Sequence, residues 1–172
     1  MQEHSPHVKL ALKTIQTFLS EHKIIKVPED TPEELLNKRA GTFVSLHRYG
    51  ELRGCIGTIE PTQNSLAEEI IQNAISASTK DPRFQAMKIS EIDGLEISVD
   101  VLGESEPING YDELDPKVYG VIVESGYKRG LLLPDLDGVD TADYQVSIAK
   151  RKAGIYPGED FKLFRFKVER FH

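Results

Sequence analysis

Apolar residues recur every three or four positions from Pro6 to Glu21 and from Leu66 to Ala77, which predicts two amphipathic helices. Ser5 precedes the first helix as an N-cap, with proline at the first helical position. Ser65 precedes the second helix in a capping-box pattern with Glu68. Two further helices are predicted from the same capping signals, one from Thr31–Pro32 to about Asn37 and one from Thr141 to Gly154.

Alternating apolar and polar residues predict strands in the rest of the chain. The stretches from Gly41 to His47 and from Leu52 to about Ile59 flank a turn signal at Arg48–Glu51, so they are predicted to form a hairpin. Later strands are predicted at residues 95–101, at 120–124 and 130–133 as a second hairpin, and at 164–169.

The order of these elements predicts the fold class. Hairpins and helices follow one another without a regular strand–helix alternation, which is typical of an α+β protein with a mainly antiparallel sheet and packed helices. The 172 residues are expected to form a single domain, residues 1–172, with a larger lobe and a smaller lobe. The smaller lobe is expected to include residues from about 24 to 40.

The composition limits the kinds of molecule that the protein is expected to bind. The 21 basic and 28 acidic residues give a net charge of −7, which argues against nucleic acid but is compatible with a small anionic ligand held by a few arginines. No apolar run is long enough for a membrane span, no secretory signal is visible, and a lone cysteine forms no internal disulfide, so a cytoplasmic location is expected. The sequence contains no nucleotide-binding loop, hydrolase motif or metal-ligand spacing, so neither a cofactor nor a metal is predicted.

The one cysteine, Cys55, lies in the second predicted strand with arginine and glycine around it. Residues two apart on a strand share a face, so Arg53, Cys55 and Gly57 are expected on one side. A guanidinium beside a thiol favours the thiolate, and Gly57 is expected to leave room for a ligand. This pattern predicts Cys55 and Arg53 as catalytic residues, with the ligand bound at Gly57. The alternative, which residue chemistry alone favours, is that Cys55 is a small buried side chain and that the glycines accommodate helix packing.

A second candidate motif, Asp81–Pro82–Arg83–Phe84, follows the second long helix. Aspartate at the first position and proline at the second are typical of a type I turn, which is the favoured structural interpretation. The functional interpretation makes Arg83 a clamp for an anion, because a planar guanidinium matches a carboxylate or a phosphate. His47, close to the first hairpin turn, is a candidate ligand-binding residue that could act as a general base; the alternative is an ordinary strand residue.

Six segments form an ordered set of motifs: Gly41–Leu46, Leu52–Gly57, Asp81–Phe84, Ile97–Leu102, Gly130–Pro134 and Lys152–Gly154. Taken together, these motifs resemble the AMMECR domain family. The resemblance covers nearly the whole chain and implies an α+β fold with two lobes of unequal size. It adds Gly54, Asp81 and Phe84 to the candidate ligand site and names no reaction. In prokaryotes such proteins look like one part of a three-part system, so the implied partners are a Memo-like protein and a radical-SAM protein.

Two functions of different classes stay open at this point. The first is a ligand-binding and catalytic domain whose site, around Arg53, Cys55 and Arg83, takes a small anionic ligand. The second is a non-catalytic assembly module that works with the Memo-like and radical-SAM proteins, and in which Cys55 only packs. The two are distinguished by whether the three side chains share one cleft or Cys55 is buried away from solvent.

Overall fold

The computed structural model describes residues 3–172 as four α-helices and two four-stranded sheets, which confirms the predicted α+β class. Short 3₁₀ turns lie at Ile89–Glu91 and Tyr111–Glu113. In chain order the helices are α1 (Pro6–Glu21), α2 (Glu33–Asn37), α3 (Leu66–Thr79) and α4 (Ala142–Ala153). The strands are β1 (Thr42–Arg48), β2 (Glu51–Gly57), β3 (Leu95–Leu102), β4 (Glu106–Ile108), β5 (Gly120–Ser125), β6 (Lys128–Leu132), β7 (Lys162–Phe166) and β8 (Val168–Phe171).

The chain divides into two compact units. The first runs to Val101 and includes Arg170–His172, and the second comprises Leu102–Glu169. Residues 24–40, expected to belong to a smaller lobe, lie within the first unit. Each unit has a hydrophobic core of its own.

In the first unit, α3 packs on one face of a sheet with the strand order β2-β1-β3-β8. The alternation of β1 places Val44 and Leu46 on that face, where they join Val99 of β3 and Ile70 and Ala74 of α3 in the core. The apolar stripe that predicts α3 is therefore the surface that α3 buries against the sheet.

Both long helices of the first unit begin where the capping signals predict. The Ser5 hydroxyl accepts a hydrogen bond from the Val8 amide at 3.3 Å, and the Ser65 hydroxyl accepts one from the Glu68 amide at 3.2 Å. The Glu68 carboxylate turns to the Asn64 amide, so the capping box is completed one residue earlier than the pattern suggests. The cap predicted at the start of α2 is not formed, because α2 begins after proline without a side-chain hydrogen bond.

In the second unit, α4 packs on a sheet with the strand order β4-β7-β5-β6. Val146 and Ala149 of α4 are fully buried in this core. Gly130 of β6 permits the close approach, since a Cβ there would lie 2.2 Å from the Ala149 carbonyl oxygen. As predicted, Thr141 caps the start of α4, and Gly154 ends it in the left-handed conformation.

Some predicted strand boundaries differ from the structure. The single strand predicted at 164–169 is two strands, because β7 ends at Phe166 in one sheet and β8 begins at Val168 in the other. β4 was not predicted, since three residues are too few to show an alternation. β2 ends at Gly57, and the residues after it form a loop held by the buried Glu69 carboxylate. Within residues 3–172, no helix combines the length and apolar character needed to cross a bilayer.

Candidate functional site

Both glycines of the cysteine motif, Gly54 and Gly57, pack closely against other parts of the protein. A Cβ at Gly54 would lie 2.2 Å from the carbonyl oxygen of Ala77, so only glycine lets α3 rest on β2 at this point. A Cβ at Gly57 would lie 2.3 Å from the Phe43 ring and 2.4 Å from the Thr42 carbonyl oxygen. The sequence predicts space for a ligand at Gly57, but in the structure Phe43 fills that space.

The sheet face turned away from α3 carries a row of small polar side chains. Ser45 of β1 lies directly opposite Cys55 of β2 on one side and Ser98 of β3 on the other. All three are half-buried, and the Ser45 hydroxyl and the Cys55 sulfur are 3.2 Å apart, which is hydrogen-bond distance. Neither serine is predicted as a site residue from the sequence motifs. The strand register would identify them, because residues directly opposite each other in a ladder share a face.

The Asp81–Phe84 segment is the predicted turn, and it also completes the edge of the sheet. The Phe84 amide donates to the Asp81 carbonyl oxygen at 3.1 Å, which closes the turn. Within the described residues 3–172, β2 has a strand neighbour on one side only, β1. On its open side, the Cys55 amide donates to Asp81 Oδ2 at 3.0 Å, and the Cys55 carbonyl oxygen accepts from Arg83 Nη2 at 3.4 Å. Asp81 and Arg83 thus stand where a further strand would pair with Cys55.

Asp81 also fixes the Arg83 guanidinium. Arg83 Nε donates to Asp81 Oδ1 at 3.1 Å, and Arg83 Nη2 donates to Asp81 Oδ2 at 2.8 Å, a two-point contact. The Asp81 side chain is 2% exposed and that of Arg83 is 56% exposed, so the pair has a buried anchor and an open cation. Hydrogen bonds from Arg83 hold the pKa of Asp81 at about 2, well below the usual value for a carboxyl group.

The Cys55 thiol is not activated. Burial raises its pKa, and the Ser45 hydroxyl and the Arg83 charge offset this only in part. The carboxylates of Asp100 and Asp81 raise the pKa further. From the sequence, Arg53 is expected to lower the pKa of the thiol. The structure corrects this in two respects: the pKa is raised, and the cation that acts on the thiol is Arg83.

Arg53 is turned to other partners. The β1–β2 register shifts between Leu46 and His47, and Arg53 is the extra residue of this bulge, with no residue opposite it. Its Nε and Nη2 donate to the Glu91 carboxylate at 2.9 and 3.2 Å, and Nη2 also donates to the Gln85 carbonyl oxygen at 2.9 Å. Arg53 therefore ties β2 to the 3₁₀ turn instead of serving the thiol.

The remaining predicted residues border this cluster. The centre of the Phe84 ring is 5.7 Å from the Arg53 guanidinium carbon and 5.6 Å from that of Arg83, so the ring contacts both cations. His47 lies opposite Leu52 beyond the bulge, and the hydroxyl that contacts the thiol comes from Ser45.

A second buried ion pair lies in the same unit. Arg170 donates to both carboxylate oxygens of Asp100, at 2.7 and 2.9 Å, and the Asp100 side chain is 2% exposed. Asp100 is opposite Phe43 in the ladder, on the same face as Cys55. No sequence motif pairs the two residues, which are 70 positions apart.

The chain matches known proteins over nearly its whole length. The model of the family described as AMMECR1 matches residues 8–171. A protein of Thermotoga maritima is 51% identical over 171 residues, which are 98% of this chain and 98% of that protein. A protein of Clostridium acetobutylicum is 47% identical over 170 residues, which are 98% of this chain but 36% of that longer protein.

The fold is similar to one solved by crystallography. An uncharacterized protein from Pyrococcus horikoshii has a TM-score of 0.89 and 36% sequence identity to this chain. The match covers 95% of this chain and 88% of that one.

Proposed function

The chain belongs to the AMMECR1 family, and we propose that its first unit binds a small anionic ligand at Arg83, beside a Cys55 thiol that stays protonated. The observation that supports this is the open side of the Arg83 guanidinium. Nε and Nη2 are used by Asp81, whereas Nη1 makes no hydrogen bond to residues 3–172. A guanidinium held in one orientation presents its remaining N–H groups to an oxyanion without losing rotamer freedom.

The neighbouring groups suit a small ligand with hydroxyl or carbonyl oxygens as well as a charge. The serine hydroxyls of the row at Ser45 and Ser98 supply neutral hydrogen-bonding groups on the same sheet face as Cys55. Because the Asp81 carboxylate neutralises Arg83, the site attracts an anion by short-range contact more than by long-range charge. Binding is therefore expected to depend only weakly on salt concentration.

Nucleophilic catalysis by the thiol is not part of this proposal. A thiolate is the nucleophilic form, and a raised pKa leaves Cys55 as a thiol at neutral pH. Cys55 then serves as a small, weakly polar surface beside the cation. The cytoplasmic location expected from the lone cysteine belongs to this proposal too.

The test is an NMR titration with inorganic phosphate and, separately, with acetate. We expect saturable shifts at the Arg83 side-chain N–H and the Cys55 amide, loss of these shifts in Arg83→Gln, and weaker binding in Arg83→Lys, which keeps the charge but not the fork. Arg151→Gln is the matched control, because Arg151 is an exposed arginine in the last turn of α4. Saturation that persists unchanged in a folded Arg83→Gln variant contradicts the proposal.

The alternative is an assembly module, and a specific observation favours it as the second candidate. In the Clostridium acetobutylicum relative the matching region is 36% of a longer protein, so this domain occurs joined to further sequence. The second unit also exposes two tyrosines, Tyr127 at 95% and Tyr156 at 70%, both close to Lys128. Exposed tyrosines are frequent in protein–protein contacts.

The alternative is tested by co-purification with Memo-like and radical-SAM proteins encoded in the same genome. An assembly module predicts association that survives Cys55→Ser and is lost when Tyr127 and Tyr156 are both replaced by serine. If neither protein associates with the intact chain, the module interpretation fails.

A further inference from the structure

A groove of about 510 Å³ lies along α3, between this helix and the extended segment before α2. Its volume is in the range of small-molecule sites. The lining residues are Ile24, Ile25, Lys26, Val27, Gln63, Glu68, Ile71, Gln72, Ile75, Ser76 and Lys80.

The groove is separate from the site at Cys55. Asn73 and Ala77 are on the side of α3 that contacts the sheet, since Asn73 Nδ2 donates to the Thr42 carbonyl oxygen and Ala77 rests on Gly54. The α3 residues of the groove fall on the opposite side of the helical turn. A ligand in the groove is therefore separated from Cys55 by the helix and the sheet.

The middle of the groove is apolar. Ile71 and Ile75 lie one turn apart on α3, and Ile25 and Val27 pack against the same core from the extended segment. Four branched aliphatic side chains from two segments thus line a trough. An alkyl chain in this trough would remove its apolar surface from water, which is favourable.

The two ends of the groove differ in charge. One end holds Glu68 together with the amides of Gln63 and Gln72, which hydrogen-bond each other at 2.9 Å. Lys80 lies at the other end, 12 residues along the helix and so about 18 Å away. Among the residues that the structure describes, no carboxylate lies within ion-pair distance of Lys26 or Lys80.

We propose that this groove binds an amphipathic monocarboxylate, such as a fatty acid. The carboxylate pairs with Lys80, and the alkyl chain lies over Ile75 and Ile71 toward the amide end. Two lysines without acidic partners beside an apolar trough complement this ligand in a chain whose net charge is −7. Glu68 at the far end excludes the reverse orientation, because it would repel a carboxylate placed there.

The test uses dodecanoate as the probe and dodecanol as its uncharged counterpart. NMR titration of the full chain is expected to shift the Ile71 and Ile75 methyl groups saturably with dodecanoate. Lys80→Gln is expected to weaken binding by about tenfold, the size of one charge-assisted contact. Lys13→Gln is the matched control, since Lys13 is an exposed helical lysine outside the groove.

A variant that fills the trough gives an independent check. Ser76→Phe places a ring over the apolar floor and is expected to abolish binding, and Gln72→Trp does the same from an exposed position if the first variant does not fold. Dodecanol binding as tightly as dodecanoate would overturn the assigned ligand class. Absence of methyl shifts, or shifts that persist with the trough filled, would overturn the site. Arg83→Gln is expected to leave dodecanoate binding unchanged, which keeps this test separate from that of the proposed function.

Discussion

Asp81 is the residue on which the candidate site depends, because one buried carboxylate serves both the strand and the arginine. It accepts from the Cys55 amide and from the main chain and side chain of Arg83. Removing a charged acceptor that satisfies several buried donors is costly, since each donor is then left unpaired.

This gives a prediction on acid stability. The pKa of Asp81 is about 2 in the folded protein, below the value of about 3.9 in an unfolded chain. The carboxylate therefore contributes stability that is full above about pH 4 and is lost as the pH falls toward 2, an effect of about 2 to 3 kcal/mol. Asp81→Asn is expected to lower the free energy of unfolding at pH 7 by at least this amount.

Urea denaturation of both proteins at several pH values checks this. The difference between wild type and Asp81→Asn is expected to shrink as the pH falls below about 4, because the unfolded wild-type chain then binds a proton at Asp81 that the folded protein, with its lower pKa, does not yet bind. A difference that is the same at pH 2.5 and at pH 7 would show that the charge of Asp81 does not contribute.

The Cys55 thiol gives a second prediction. Its alkylation rate as a function of pH is expected to show a pKa above the ordinary value for cysteine, because the thiol is partly buried. Arg83→Gln is expected to raise that pKa further, since it removes the cation that lowers it. Arg53→Gln is the comparison, and it is expected to have no such effect because Arg53 is paired with Glu91. A thiol pKa below neutrality would instead return Cys55 to the class of reactive cysteines.

At the scale of elements, the contact of β2 with α3 depends on the absence of a side chain. Gly54→Ala places a methyl group against the main chain of α3, which cannot yield as a side chain can. We expect a loss of about 3 kcal/mol in the free energy of unfolding, measured by urea denaturation. Gly103→Ala is the control, with its nearest contact at 3.3 Å, and is expected to cost less than about 1 kcal/mol. Equal losses in the two variants would contradict the packing role of Gly54.

Local patterns predict the elements well and the site only in part. Helix starts at Ser5 and Ser65 were predictable, because a cap acts on amides three residues away. The partner of Arg53 was not predictable. The prediction rests on a regular strand, whereas a bulge in the β1–β2 register gives Arg53 a different partner. The contact of Arg170 with Asp100 links positions that are distant in sequence, so no local pattern records it.

The contact between the two motifs, Leu52–Gly57 and Asp81–Phe84, is likewise not recorded in any local pattern. The turn at Asp81 was predictable from its aspartate and proline, but its position beside Cys55 follows from the length and packing of α3. Likewise, Gly57 in isolation suggests open space, and only the conformation of Phe43 shows that the space is filled.

At the scale of the whole molecule, two separate cores predict two cooperative units. Native-state hydrogen exchange is expected to resolve the core amides of β1 in the first unit from those of β5 in the second. In Gly54→Ala, we expect the free energy of opening to fall for Val44 and Leu46 but to remain nearly unchanged for Val121 and Val123. A uniform fall at all four amides would show that the chain unfolds as a single unit.

The placement of Asp81 and Arg83 on the open side of β2 has a consequence for how copies of the molecule meet. An unpaired strand edge is a template to which a strand from another chain can add, and such addition leads to aggregation. At Cys55 the main-chain amide and carbonyl are already satisfied by side chains of the same chain. The aspartate and arginine thus take the place of a neighbouring strand at Cys55, and they protect this edge from self-association.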